Sequence, residues 1–336
     1  MNTIYKEKWL RLYEVAQLIG ALNPWRDFAA SDRFVYLSGE KAEPVYFSFI
    51  SAPTGGRGIA CYRGENDYLR ARRRLTWKNE KDEPTFCLQN AWIALWDDRT
   101  ALSRNSYTQI RELGFGFRGR GAWLHFDRYA VGYAPVPIDA RETDWLTDQF
   151  GNLHMMLRAV YEQGLNPEFD AGKALVRWYE PKDKLYYTHP LAIPLNESAI
   201  LRPVATLREN DWVRQVRWMS VSACSVEMDW WYLDCIYADD DGRETYPRLL
   251  VAVDTASGCM LAQQLLAPSH NQPGAAVSML GDLVERYGKP AELRVCDPDL
   301  HSILADACRK FGMHLLVKKR LPAIKVARET LAADWK

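Results

Sequence analysis

The sequence predicts two domains: a β-rich α+β domain flanked by helices, then an α/β domain with a mixed sheet and the order β-β-β-α-β-α-β-α. The length of 336 residues suffices for two domains of ordinary size. A hydrophobic content of 48% can form a buried core in each. Apolar spacing is strand-like in much of the first half and alternates between strand and helix periods in the last third. We predict a first domain at 1–163, a proline-containing connection at 164–208 and a second domain at 209–336.

The charged residues balance, with 43 Lys and Arg against 43 Asp and Glu. Because a neutral chain has no global positive field, any contact with nucleic acid must come from a local basic patch. The first residues lack the pattern of a signal peptide, and no apolar run approaches the roughly 18 residues of a membrane span. We therefore expect a cytoplasmic protein without a membrane partner.

The seven cysteines and six histidines are dispersed, without a C-x-x-C pair or an H-E-x-x-H motif. Reduced core cysteines explain this pattern better than disulfides or structural zinc. The sequence also lacks a Gly-Lys-Ser/Thr loop and a G-x-G-x-x-G motif before a helix, so it predicts no nucleotide cofactor.

The N-terminal domain begins with a predicted helix over Trp9–Ile19, where apolar residues recur three and four apart. Two strand-like runs, Val45–Ile50 and Gly58–Tyr62, flank a Pro-Thr-Gly-Gly turn and predict a β-hairpin. Further strands are predicted over Phe86–Leu95 and Ala122–Tyr133.

A second helix is predicted from the capping-box spacing of Asp139 and Glu142 to about Tyr161. Before it, the glycine- and arginine-rich segment Gly114–Gly121 is similar to nucleic-acid-binding segments, although a turn between strands is the commoner source of such a composition.

Two short basic clusters are candidates for contact with a nucleic-acid backbone. One lies on a predicted helix after Tyr68, and the other follows the last predicted strand. The alternative for both is a solvated basic surface. The candidate residues are Arg72, Arg73, Arg74, Lys318, Lys319 and Arg320.

The last third of the chain supplies all the elements of the α/β domain. Three predicted strands come first, and strands and helices then alternate with glycine or proline at the helix ends. The predicted strands are Val226–Tyr237, Arg248–Asp254, Cys259–Leu266, Leu293–Cys296 and Met313–Val317, and the predicted helices are Gly274–Tyr287, Leu300–Phe311 and Ile324–Trp335.

Four features of this domain lie in a familiar order: Asp229 on the first strand, Val253–Ser257 at the end of the second, Gly288-Lys289-Pro290, and Cys296-Asp297 at the end of the fourth. In this it resembles the RNase H-like catalytic core of retroviral-type integrases and transposases. A second resemblance spans nearly the whole chain, to a bacterial two-domain protein family of unknown function. It rests on the segments Asn23-Pro24-Trp25, Tyr46-Phe47-Ser48, Gly132-Tyr133-Ala134-Pro135 and Leu321-Pro322-Ala323.

The integrase resemblance implies two-metal phosphodiester chemistry, in which carboxylates hold Mg²⁺ or Mn²⁺ to activate a nucleophile and stabilise a leaving oxygen. The implied catalytic residues are Asp229, Asp297 and a closing-helix glutamate, Glu329. The implied metal ligands are Asp229, Asp297 and Asp254. This chain departs from the integrase pattern at Asp297-Pro298-Asp299, where integrases favour Asp-Asn-Gly.

The same acids also have an ordinary structural interpretation, in which Asp297 caps a helix, Asp254 anchors a turn and Asp229 is the polar side of a strand. On that interpretation the protein is a non-catalytic binding or scaffold protein with a degenerate RNase H-like domain and no metal cofactor. The alternative is a Mg²⁺- or Mn²⁺-dependent nuclease or strand transferase. The expected partner is a nucleic acid or another protein.

Overall fold

The computed structural model describes residues 3–39, 42–51, 56–76, 88–195 and 200–334. The chain forms two compact units of mixed α and β structure. The first contains the described residues up to Val131 together with Pro135–Ile200. The second contains residues 132–134 and the chain from Leu201 onward. Among the described residues, no helix is long and apolar enough to cross a membrane.

The first unit is built on a mixed sheet of eight strands in the described part of the chain, with the order β6-β5-β4-β3-β2-β1-β7-β8. Neighbouring strands are antiparallel except for β1 and β7, which are parallel. The strands are β1 (Phe34–Leu37), β2 (Val45–Ser51), β3 (Arg57–Arg63), β4 (Ala91–Asp97), β5 (Trp123–Tyr129), β6 (Val136–Pro137), β7 (Ala174–Glu180) and β8 (Leu185–Leu191).

The predicted hairpin is confirmed, because β2 and β3 pair antiparallel from Val45 opposite Arg63 to Ser51 opposite Arg57. Side chains alternate between the two faces of a strand. On one face, Phe47, Phe49 and Ile59 join the main core of this unit. Because both faces of the hairpin are buried, both strands are apolar along most of their length.

The described part of this unit contains four helices: α1 (Thr3–Leu22), α2 (Glu65–Thr76), α3 (Arg104–Leu113) and α4 (Thr143–Tyr161). The core cluster combines the sheet with Leu12 and Ile19 of α1 and Leu146 and Phe150 of α4. The helix predicted from Trp9 to Ile19 is confirmed within α1. Single 3-10 turns lie at Pro24–Arg26, Arg99–Ala101 and Phe169–Ala171.

The predicted capping box forms one turn before α4 begins. The Asp139 amide donates to Glu142 Oε2 at 2.9 Å, and the Glu142 amide donates to Asp139 Oδ1 at 3.2 Å. These are the two reciprocal bonds of the motif. The helix itself starts later than predicted, at Thr143, so the motif closes the turn that leads into it.

Strands β7 and β8 lie in the stretch that was predicted to be a proline-containing connection. They pair antiparallel from Ala174 opposite Leu191 to Glu180 opposite Leu185. Pro190 lies in β8, which is an edge strand, where a residue without an amide hydrogen does not interrupt the sheet.

The second unit contains a five-stranded sheet with the order β13-β12-β9-β14-β15. Strand β12 is antiparallel to both of its neighbours, β9 and β13, whereas β14 is parallel to both β9 and β15. Its strands are β9 (Ser225–Tyr232), β12 (Arg248–Asp254), β13 (Met260–Leu266), β14 (Glu292–Val295) and β15 (His314–Val317), and a small hairpin between β9 and β12 pairs β10 (Tyr237–Ala238) with β11 (Glu244–Thr245).

Helices cover both faces of this sheet: α5 (Asp211–Trp218), α6 (Gln272–Tyr287), α7 (Pro298–Phe311) and α8 (Pro322–Asp334). One core contains Met228 and Trp230 of β9 with side chains of α5, α6 and α7. A smaller core contains Trp231 of β9 with Leu321, at the start of α8, and Ile324 of α8. Successive β9 residues therefore serve opposite faces.

Candidate functional site

Asp297 lies directly after β14 and is the N-cap of α7. Its Oδ1 accepts a 2.7 Å hydrogen bond from the Asp299 amide, as an N-cap carboxylate does. Its Oδ2 accepts a 3.0 Å hydrogen bond from the indole Nε1 of Trp230 on β9. Both partners are buried. Each oxygen of this carboxylate therefore accepts a hydrogen bond from within the protein.

Asp229 is buried in β9 and pairs with Val251 of β12. Adjacent strand residues project to opposite faces, so the carboxylate of Asp229 and the indole of Trp230 lie on opposite sides of the sheet. Glu227, two residues earlier, shares the face of Asp229 and reaches α8. Asp229 thus belongs to the face that α8 covers, whereas the indole that binds Asp297 belongs to the other.

Asp254 lies at the other end of β9 from Asp297. It ends β12 opposite Val226. Val226 and Trp230 are four positions apart on β9, which corresponds to about 13 Å along the strand. Its carboxylate binds the amide and hydroxyl of Ser257, at 3.0 Å and 2.5 Å. These hydrogen bonds lower the pKa of Asp254. Asp254 anchors the turn that leads into β13.

Glu329 lies on the exposed side of α8. The inward-facing residues of this helix are Ile324 and Ala327. At 100° per residue, Glu329 is about 200° around the helix axis from Ala327, on the side that faces away from the sheet. The helix predicted to carry the third acid is present, but it turns that acid away from Asp229.

Glu227 is the buried acid that sequence reasoning missed. Its Oε2 accepts hydrogen bonds from the amides of Ala323 at 2.8 Å and Ile324 at 3.1 Å, in the first turn of α8. These amides have no partner within the helix, and their dipoles favour a negative charge. One feature of the sequence could have indicated such a contact. Helix α8 starts at Pro322 directly after Leu321, and no Ser, Thr, Asp or Asn stands there as a local cap, so the cap must come from elsewhere in the chain.

No group of three or more His, Cys, Asp or Glu side chains that could hold a metal ion is present among the residues that the structure describes. The acids implied by the resemblance are instead distributed over two faces and two ends of the sheet. A catalytic or metal-binding role therefore stays a prediction for each of these acids: Asp229, Asp297, Asp254 and Glu329.

The basic cluster Lys318–Arg320 is exposed and follows β15. The Lys318 amide donates to Val295 O at 2.8 Å, and the thiol of Cys296 donates to Lys319 O at 3.6 Å. These contacts hold the cluster beside the end of β14, at the sheet edge where Asp297 begins α7. The structure thus brings one predicted acid and one predicted basic cluster to the same edge.

Arg72 and Arg73 lie on α2 in the first unit. The Nη1 of Arg72 donates to Ser31 O and to the hydroxyl of Tyr68, both at 3.3 Å. Arg74 lies in the same helix, but its side chain is outside the described residues.

A buried His125–Asp127 pair on β5 was also missed. The imidazole Nε2 lies 3.4 Å from Asp127 Oδ2, and both side chains are largely buried. Burial opposes a charged imidazole, but the hydrogen bond and charge of Asp127 outweigh it, so the pKa of His125 is raised. The spacing of two residues places both side chains on one strand face, which is the signal that could have identified the pair.

No match to a curated protein was found. Among solved structures, a chain of the simian T-cell lymphotropic virus intasome in complex with the PP2A regulatory subunit B56 gamma is similar over 36% of this chain and 44% of that chain, at 16% sequence identity. Its TM-score of 0.26 is too low to support an inference about fold or activity.

Two families of domains match the chain. A domain of unknown function (DUF6930) matches residues 213–332. A domain of unknown function (DUF7309) matches residues 9–177, which is half of the chain. The protein therefore belongs to the DUF7309 family and carries a DUF6930 domain after the matched region.

Proposed function

We propose that the second unit is an RNase H-like domain whose acids hold the fold, and that the protein acts by binding a partner rather than by cleaving phosphodiester bonds. The strand order supports the fold assignment: in the order of their appearance in the main sheet the strands lie 3-2-1-4-5, the first three antiparallel and the last two parallel. Helices lie on both faces, as the resembled fold requires.

The observation that carries the functional proposal is the pair of hydrogen bonds at Asp297. Each oxygen of a carboxylate has two lone pairs, and a metal-binding carboxylate directs at least one of these to the ion. Here Trp230 Nε1 donates to one oxygen and the Asp299 amide to the other. Loss of chemistry with retention of a fold is common, because function resides in sites rather than in folds.

An assay for cleavage and strand transfer tests the proposal. The purified chain is incubated with labelled single- and double-stranded DNA and RNA, with Mg²⁺, with Mn²⁺ and with a chelator. We expect no metal-dependent product from any substrate. Metal-dependent products that disappear in both Asp229→Asn and Asp297→Asn variants would overturn the proposal.

The second candidate is a Mg²⁺- or Mn²⁺-dependent nuclease or strand transferase that uses Asp229, Asp297 and Glu329. The observation in its favour is the exposed basic cluster Lys318–Arg320 beside the end of β14. In the same assay, this candidate requires that Glu329→Gln lose activity together with the two aspartate variants. A matched control is Glu292→Gln, because Glu292 is paired with Arg294 at the other end of β14.

A further inference from the structure

The first unit contains a cleft of about 480 Å³ that is lined by cationic and apolar side chains. Three cations reach it from separate parts of the chain: Arg33 before β1, Arg72 on α2 and Lys173 before β7. Its volume lies in the range of ordinary ligand sites. The apolar part of the lining includes Phe169, Ile193 and Pro194.

The two arginines of the cleft are held in place by hydrogen bonds to other parts of the chain. Arg33 donates from Nη1 to Ile193 O at 2.6 Å and from Nη2 to Gly172 O. A guanidinium carries five N–H donors in a rigid fork, so these two bonds fix the group and leave donors for an anion. Arg72 is fixed in the same way by Ser31 O and the Tyr68 hydroxyl.

The side chains that line the cleft include three cations and one carboxylate, Asp32. Lys173 pairs with Glu168 at 2.7 Å. Asp32 also lines the cleft, and its Oδ2 accepts from the Ala29 amide at 2.9 Å. Glu168 beside Lys173 and Asp170 near Asp32 lie outside the lining, so the excess of positive charge belongs to the lining side chains themselves. An anionic ligand is favoured over a cationic one.

Three aromatic rings, Trp178, Tyr187 and His189, form an aromatic strip on the neighbouring strands β7 and β8. The Trp178 and Tyr187 rings are stacked with their centroids 5.6 Å apart. The centroid of the His189 ring lies 5.9 Å from that of Trp178 and 6.4 Å from that of Tyr187. His189 is exposed and the other two rings are partly exposed. The Tyr187 hydroxyl donates to Asp183 at 2.9 Å, which fixes its ring.

The strip lies on the sheet face opposite the main core. Leu175 of β7 belongs to that core, and Val176 and Trp178 alternate with Leu175 and Arg177. Arg177 faces the α4 side, because it binds Asn152 of that helix at 3.0 Å. The rings are therefore presented away from α1 and α4.

The strip and the cleft follow one another along the same two strands. Arg33 lies two residues before Val35, which pairs with Val176 of β7, so Arg33 and Trp178 lie on the same face of the sheet, about 13 Å apart along the strand direction. On β8 the chain passes from His189 to Ile193 and Pro194, which line the cleft. A ligand that touches both regions must be extended, with anionic groups at one end and flat rings along its length.

We propose that the cationic cleft and the aromatic strip together bind a single strand of nucleic acid, with phosphates at Arg33, Arg72 and Lys173 and bases stacked on Trp178 and His189. Single strands are bound by a positively charged groove that tracks the backbone combined with aromatic side chains that stack on bases. Bases inside a duplex are stacked on one another and are not offered to such a surface. Binding of a single strand at the first unit is independent of whether the acids of the second unit are catalytic.

Fluorescence anisotropy with labelled oligo(dT) of about twelve nucleotides tests this, because single-strand sites in proteins cover a few to about sixteen nucleotides. We expect saturable binding that weakens about fivefold or more in His189→Ala and Trp178→Ala variants, as the loss of one stacked base predicts. His189 is exposed, so its replacement tests the strip without threatening the fold. The matched control is Trp218→Ala, since Trp218 is 85% exposed in the second unit.

The salt dependence of binding tests the cleft. We expect Arg72→Gln to reduce the slope of log affinity against log salt by about 0.7, the value for one phosphate contact on a single strand. Arg214→Gln, which removes an exposed arginine from α5, should leave the slope unchanged. The proposal is overturned if oligo(dT) shows no saturable binding, if a duplex of the same length binds as tightly, or if Trp218→Ala weakens binding as much as His189→Ala.

Discussion

The indole Nε1 of Trp230 donates a 3.0 Å hydrogen bond to Oδ2 of Asp297, a residue 67 positions later in the sequence. The bond links β9 to the first turn of α7 and is buried. It joins the two neighbouring strands on which an RNase H-like enzyme would carry its acids. In this chain the carboxylate of Asp297 accepts hydrogen bonds from Trp230 and from the Asp299 amide.

Replacing Trp230 by Phe should destabilise the protein by about 1–3 kcal/mol, because a buried carboxylate oxygen loses its donor. Urea denaturation of the single variants and of the double variant with Asp297→Asn gives the coupling between the two side chains. We expect the double variant to be less destabilised than the sum of the two. Trp231→Phe is the control, because Trp231 lies on the opposite face and should show no coupling with Asp297→Asn.

Replacing Glu227 by Ala should release the start of α8 and lower the free energy of unfolding by about 1–3 kcal/mol, through the loss of a charged cap to two buried amides. Hydrogen exchange should show faster exchange of the Ala323 and Ile324 amides in this variant. Glu329→Ala, on the exposed side of the same helix, should change stability by less than about 0.5 kcal/mol. Equal effects of the two substitutions would contradict the capping role.

The His125–Asp127 pair should make stability depend on pH in a defined direction. The pKa of His125 is raised in the folded protein, so the folded state holds this proton more tightly than the unfolded state does. Its contribution is fully present below the unfolded pKa of about 6.5 and is lost as the pH rises through the folded pKa. An NMR titration of His125 should show a pKa above that of a free histidine, and Asp127→Asn should lower it. An unchanged titration in that variant would contradict the pairing.

Local signals were sufficient for several elements of the fold. The β2–β3 hairpin was predicted because two apolar runs and a glycine turn lie next to each other in sequence. The reciprocal bonds between Asp139 and Glu142 were predicted from a spacing of three residues. In each case the partners are close in the chain, so their chemistry is readable without the tertiary structure.

Long-range relationships were not predictable in this way. The pairing of β7 with β1 joins residues about 140 positions apart, so the prolines nearby predicted a connecting region with some short strands and gave no sign of their place in the main sheet. The Glu227 cap and the Trp230–Asp297 bond also join distant residues, and nothing local marks the partner. The resemblance to integrases rested on residue type and position in the sequence. It could not show on which face or at which end of the sheet each acid lies, and this applies to Asp229, Asp297, Asp254 and Glu329.

The sign of the stability change in Asp297→Asn distinguishes an acid that holds the fold from an acid kept for metal binding. Acids gathered in a metal site repel one another without the ion, so replacing one by an amide commonly stabilises the protein, as for other residues kept for activity. An acid that serves as a cap and as an acceptor for a buried indole stabilises the fold instead. Urea denaturation with and without Mn²⁺ should therefore show that Asp297→Asn is destabilised by about 1–2 kcal/mol and that Mn²⁺ changes neither protein. A variant more stable than the natural protein, together with stabilisation of the natural protein alone by Mn²⁺, would instead identify Asp297 as a metal-site acid.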